Sequence, residues 1–223
     1  GLELEKIDPA DPGNRHTKLI AGVITLMSHV GDQSNLILDS ELDSFYLMDL
    51  AVNRLPELSE QIGQLRGYSS RLRDQKTDLQ LTMFRLRNQS SAITSQLQTL
   101  SHHFRVTARE TQNLQLVKEL NPKVDKLVLA TSEFLSAINR GISAGTVSVD
   151  FADDVWKEGS EALREYDNLY SQVSVSLDQL LTVRISRLRT RRTFVVTVSL
   201  CGTLLGVYLF AAFYLAVMRT VSQ

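Results

Sequence analysis

The chain has 223 residues, 43% hydrophobic and 22% charged, with a formal net charge of −1. That balance suits a folded protein and speaks against disorder and against a basic nucleic-acid binder. The four prolines all lie at or before Pro122, which favours long helices, and the single cysteine, Cys201, excludes an intrachain disulfide. Because it starts at Gly1 and shows no signal-peptide pattern, the chain is read as a segment of a longer protein.

Residues 1–13 carry Pro9, Pro12 and Gly13 and read as an irregular lead-in. A first helix is expected from about Asn14 to Ser34, with Leu19, Val23, Leu26, Met27 and Val30 on one face. Ser40 and Asp43 have the spacing of a capping box. The helix that follows repeats Met48, Ala51, Leu55, Leu58, Ile62 and Leu65 at steps of three and four, with Pro56 as an expected kink and Gly67–Ser70 as a corner. A third helix has a heptad stripe, Leu72, Leu79, Leu86, Ile93 and Leu100, with Met83, Leu97 and Phe104 in a second seam position. Lys76 and Ser90 interrupt it.

A fourth helix is expected from Pro122, placed as a first-turn residue, to Arg140, followed by a loop over 141–148. Asp150 then caps a fifth helix carrying Val155, Trp156, Leu163, Tyr166, Leu169, Tyr170, Val173, Leu177, Leu180 and Leu181. No Gly or Pro occurs between Ser160 and Leu200, so this helix can continue into the apolar run Phe194–Met218. That run is free of charge, and its 25 residues at 1.5 Å each span about 37 Å, enough for a bilayer core. Gly202 and Gly206 have the spacing that lets two membrane helices approach closely, as do Ala212 and Ala216.

Arg184, Arg187, Arg189, Arg191 and Arg192 precede the run, placed to meet lipid headgroups, and only Arg219 follows it. Taken alone, the positive-inside rule puts the N-terminal portion in the cytoplasm. No phosphate loop, nucleophile elbow or zinc signature occurs, and His16, His29, His102 and His103 read as surface or flank residues. The expectation is therefore a chain without catalytic residues, cofactor or metal. Asp43, Tyr46, Asp49, Asn53 and Arg54 cluster on the first turns of the second helix. They form either a polar ligand pocket in which Arg54 holds a carboxylate, or a set of bonds between neighbouring helices with Asp43 serving the helix N-terminus.

Three stretches carry a resemblance: Leu36–Arg66, whose most specific part is LDSELDSFYLMD; Trp156–Leu188; and the end, YLFAAFYLAVMRTVSQ. Together they resemble the input domain of bacterial transmembrane sensors such as methyl-accepting chemotaxis receptors, sensor histidine kinases and membrane-bound diguanylate cyclases. The resemblance implies an all-α, elongated antiparallel helical bundle over 14–193, four-helix-bundle-like or two stacked modules. A membrane helix over 194–218 and the start of a HAMP-like linker over 219–223 would follow. It also implies a periplasmic domain anchored in the inner membrane, a homodimer, and a small-molecule ligand or periplasmic binding protein as partner. A competing reading is a tail-anchored coiled-coil tethering or fusion protein, which would leave the helices in the cytoplasm.

Overall fold

The computed structural model describes residues 12–33, 42–71, 79–111, 113–144 and 149–221. They fold into helices α1 (Pro12–Gln33), α2 (Leu42–Asp49), α3 (Leu55–Arg71), α4 (Leu79–Glu110), α5 (Leu114–Ala144) and α6 (Val149–Val221), with no strand among them. The chain is all-α. It divides into a compact unit over Gly1–Leu177 and a second over Asp178–Gln223, so residues 178–193, expected within the bundle, group with the apolar stretch.

In the first unit α3, α4, α5 and the start of α6 run alternately up and down. Gln64 of α3 accepts a hydrogen bond from Gln89 of α4, and Tyr68 lies under the Arg85 guanidinium, so residue numbers rise on one helix as they fall on the other. The same opposition joins α5 to α6: Glu119 to Gln172, Lys123 to the Asn168 carbonyl, and Gly141 to Phe151. Arg66 closes the ring by donating to Ser160 of α6 at 3.0 Å while stacking on Trp156. Among the described residues these contacts make an antiparallel four-helix arrangement.

The heptad stripe of α4 lies in the core from Leu86 onward, while Met83 is half-buried. Leu86, Ile93, Leu97, Leu100 and Phe104 are buried, joined by Thr107, and Ser90 occupies the seam as a buried polar residue. Each fully buried leucine contributes roughly 1.5–3 kcal/mol relative to its exposed state. Leu72, Lys76 and the capping residue Ser40 lie outside the described residues.

Several local expectations are corrected. Pro122 is interior to α5 rather than at its start. The cap is Asn113, whose Oδ1 accepts hydrogen bonds from the Gln115 and Leu116 amides, eight residues earlier than proline preference suggests. At the other end α5 runs through Gly141 to Ala144, and α6 begins at Val149, which makes Asp150 a first-turn residue instead of a cap. Gly141 is there for space: a Cβ would lie 2.1 Å from the Phe151 ring. The expected corner at Gly67–Ser70 is helical to Arg71, with Ser69 Oγ bonded to the Leu65 carbonyl.

Helix α1 departs most from its apolar pattern. Leu19, Val23, Leu26 and Val30 are exposed, between 49% and 67%. The helix meets the bundle through Ser28 and the buried Gly31, whose missing Cβ leaves room for Val52. Periodicity identifies an apolar face but not whether this chain alone supplies its cover.

Candidate functional site

Pro56 has no amide hydrogen and its ring crowds the carbonyl four residues back, so a regular helix cannot pass through it. The chain answers one turn earlier. Residues Leu50–Arg54 form a π-helical turn joining α2 to α3, with the Leu55 amide donating to the Leu50 carbonyl five residues behind. In such a turn residues five apart lie one above the other. Arg54 therefore comes beneath Asp49, where 3.6-residue periodicity would have swung it well aside.

Four residues singled out from sequence meet at this turn. Asp49 is the hub. Its Oδ1 accepts from Asn53 Nδ2 at 2.8 Å and its Oδ2 from Arg54 Nε at 3.0 Å. Asn53 Oδ1 accepts from Ser28 Oγ at 2.8 Å, which ties α1 to the turn. Tyr46 sits one turn before Asp49 and sets its ring edge-on to His103 of α4, with centroids 4.8 Å apart. Asp43 instead accepts from the Ser44 amide near the start of α2.

His103 completes the cluster, and the reading of the histidines as surface or flank residues missed it. Its Nδ1 lies 3.0 Å from Asp49 Oδ2 without the alignment of a hydrogen bond. Burial lowers its pKa below the usual histidine value, and Arg54 and His102 act in the same direction, whereas the Asp49 carboxylate opposes them. The ring is thus held largely neutral at pH 7 beside a carboxylate that would welcome its proton. The only sequence signal for it was the His102–His103 pair itself, because which of two neighbours turns inward depends on α4 packing against α2.

The carboxylate that Arg54 holds is that of Asp49. The cluster stitches together α1, the π-helical turn and α4. Its chemistry is that of a titratable brace: one carboxylate shared among an amide, a guanidinium and an imidazole. Among the described residues no three His, Cys, Asp or Glu side chains gather as a metal-ligand set.

The second unit presents different chemistry. Phe194, Val195, Val196, Val198, Leu200, Leu204, Leu205, Val207, Tyr208, Leu209 and Phe210 are all more than half exposed on a helix long and apolar enough to cross a membrane. A Cβ at Gly202 or Gly206 would meet nothing within 4 Å, so that face of the helix is open. Arg187, Arg189, Arg191 and Arg192 are exposed ahead of it, and Arg184 is partly covered. No family model, curated protein or solved structure matches the chain.

Proposed function

We propose that the chain is the extracytoplasmic signal-input segment of a bacterial transmembrane receptor. The helical bundle stands in the periplasm, α6 crosses the inner membrane, and a HAMP-like linker leads to a cytoplasmic output module. The observation that carries this reading is α6 itself. One helical element supplies a wall of the bundle through Val155, Ala162, Leu169 and Val173 and then the exposed apolar stretch. A helix that belongs to both a packed core and a bilayer is a physical route for a shift between them, and the likeness to bacterial sensors supplies the direction.

The receptor acts as a homodimer. Two features support this: Ile20, Val23, Met27 and Val30 of α1 recur at steps of three and four, the seam of a helix that pairs with its own kind, and Gly202 and Gly206 leave a small-residue face open in the membrane helix. The juxtamembrane arginines contact lipid headgroups.

Those arginines also favour a second reading, a tail-anchored coiled-coil tether with its helices in the cytoplasm. Ser143 is exposed near the end of α5, and a Ser143→Cys substitution separates the two. Cys201, the only native cysteine, is replaced by alanine in the same chain. In intact cells with a permeabilised outer membrane, an impermeant thiol reagent should label Cys-substituted position 143. Labelling only after inner-membrane lysis would overturn the receptor topology and support the tether.

A further inference from the structure

His103 and Ser28 stand at the two ends of one polar chain. Ser28 Oγ of α1 donates to Asn53 Oδ1 at 2.8 Å, and Asn53 Nδ2 donates to Asp49 Oδ1 at 2.8 Å. The other oxygen of Asp49 lies 3.0 Å from His103 Nδ1 of α4 and accepts from Arg54 Nε at 3.0 Å. Asp49 and His103 are well covered, with side chains 15% and 13% exposed, whereas Arg54 is 39% exposed and can turn to solvent. The groups whose charge His103 feels are Asp49 and Arg54 from the π-helical turn and His102 from its own helix, and Tyr46 of α2 adds the edge of its ring. Among the described residues none of those charges comes from α1, α3 or α5.

Helix α1 gains little from burial, since Leu19, Val23, Leu26 and Val30 stay exposed, and the polar chain through Ser28 is a tie that joins it to the π-helical turn. A neutral imidazole makes no claim on Asp49, which is then shared between Asn53 and Arg54. A proton on the ring changes that balance. The imidazolium competes with Arg54 for Oδ2 and draws the carboxylate toward α4, away from Asn53. We propose that His103 is an acid-sensitive latch on α1, which is held to the π-helical turn while the imidazole is neutral and loosened when the ring takes up a proton. Linkage supports the direction: burial keeps the ring's pKa below its ordinary value, so the proton binds more tightly in an arrangement that lets water reach the ring. Acid therefore favours the loosened arrangement. The latch concerns contacts within the bundle and does not rest on the receptor topology.

The test uses the full chain in lipid nanodiscs, with a spin label attached through Ala21→Cys, an exposed position of α1, in a Cys201→Ala background. The mobile fraction of the label's spectrum should rise about twofold or more between about pH 7.5 and 5.0, with a midpoint below 6.5. A label attached through Ser143→Cys, exposed on α5, should not respond. His103→Gln should keep the restricted spectrum at both pH values. Asp49→Asn, which removes the charge that the imidazolium draws on, should abolish the response by a different route. Ser28→Ala should give the mobile spectrum already at about pH 7.5, because the tie to Asn53 is gone. His29→Gln, exposed beside Ser28, should respond as the parent does, which separates His103 from the other histidine nearby in sequence on α1. Circular dichroism at the higher pH establishes which variants are folded. The proposal is overturned if motion at position 21 is the same throughout this range, or if a folded His103→Gln or Asp49→Asn chain still responds. It is also overturned if His29→Gln abolishes the response, or if positions 21 and 143 loosen together, since that is unfolding of the whole bundle.

Discussion

Asp49 Oδ2 lies 3.0 Å from Arg54 Nε and the same distance from His103 Nδ1, so one carboxylate oxygen serves a permanent cation and a neutral imidazole at once. The first contact is local to the π-helical turn, and the second reaches across to α4. The strength of the second depends on pH, because only the protonated imidazole is an ion-pair partner.

His103 should therefore tilt stability with pH in a definite direction. Burial holds its pKa below the ordinary 6.5 in the folded chain. As pH falls through 6.5 the unfolded chain takes up the proton first, so this contribution is complete above that value and is lost on acidification until the folded pKa is passed. Thermal melts of the parent and of His103→Gln between about pH 7.5 and 5.5 should show a steeper loss for the parent. Parallel curves would mean that His103 is not the titrating group.

Leu86 is fully buried in the α4 seam. Leu86→Ala should cost about 2–5 kcal/mol through the cavity it leaves. Leu86→Asp should unfold the bundle, because a charge without a partner is placed in the core. Circular dichroism melts check both, and a folded Leu86→Asp bundle would contradict the assigned packing.

Gly141 and Phe151 should behave as one unit. A Cβ at 141 overlaps the Phe151 ring, so Gly141→Ala should destabilise the α5–α6 hairpin by about 1–3 kcal/mol. Phe151→Leu opens space at the same point and should recover part of that loss in the double variant. Strict additivity of the two single effects, measured by urea unfolding, would count against the contact.

The signal transfer through α6 proposed above makes a separate claim. Three glycines inserted between Arg187 and Thr193 interrupt the helix ahead of the apolar stretch. The bundle should melt at an unchanged temperature and the protein should still insert in membranes, while receptor output should stop following the input. Normal output after insertion would exclude a mechanism that relies on helical continuity.

Much of the bundle was legible because its cores follow local rules. Leu86, Ile93, Leu97 and Leu100 announce a buried seam by spacing alone, and they are buried. The grouping of Tyr46, Asp49, Asn53 and Arg54 was visible too, although their geometry was not: a widened turn breaks the 3.6-residue rule used to place them. His103 and Gly141 were illegible for another reason, since each is defined by a side chain from a distant helix, Asp49 in one case and Phe151 in the other. The exposed face of α1 marks the remaining limit. Leu19 and Val23 carry the pattern of burial, but a pattern does not contain its partner.

The widened turn at Leu50–Arg54 amounts to one residue more than a regular helix would use. Winding the same residues as a regular helix would instead rotate everything upstream by about 100° relative to α3. Tyr46 and Asp49 would then leave His103, while Leu58, Ile62 and Leu65 would keep their places in the core. The turn thus works as a clutch between two stretches of one helix: it lets the end bearing Asp49 hold its own angular setting while the remainder stays in gear with the bundle.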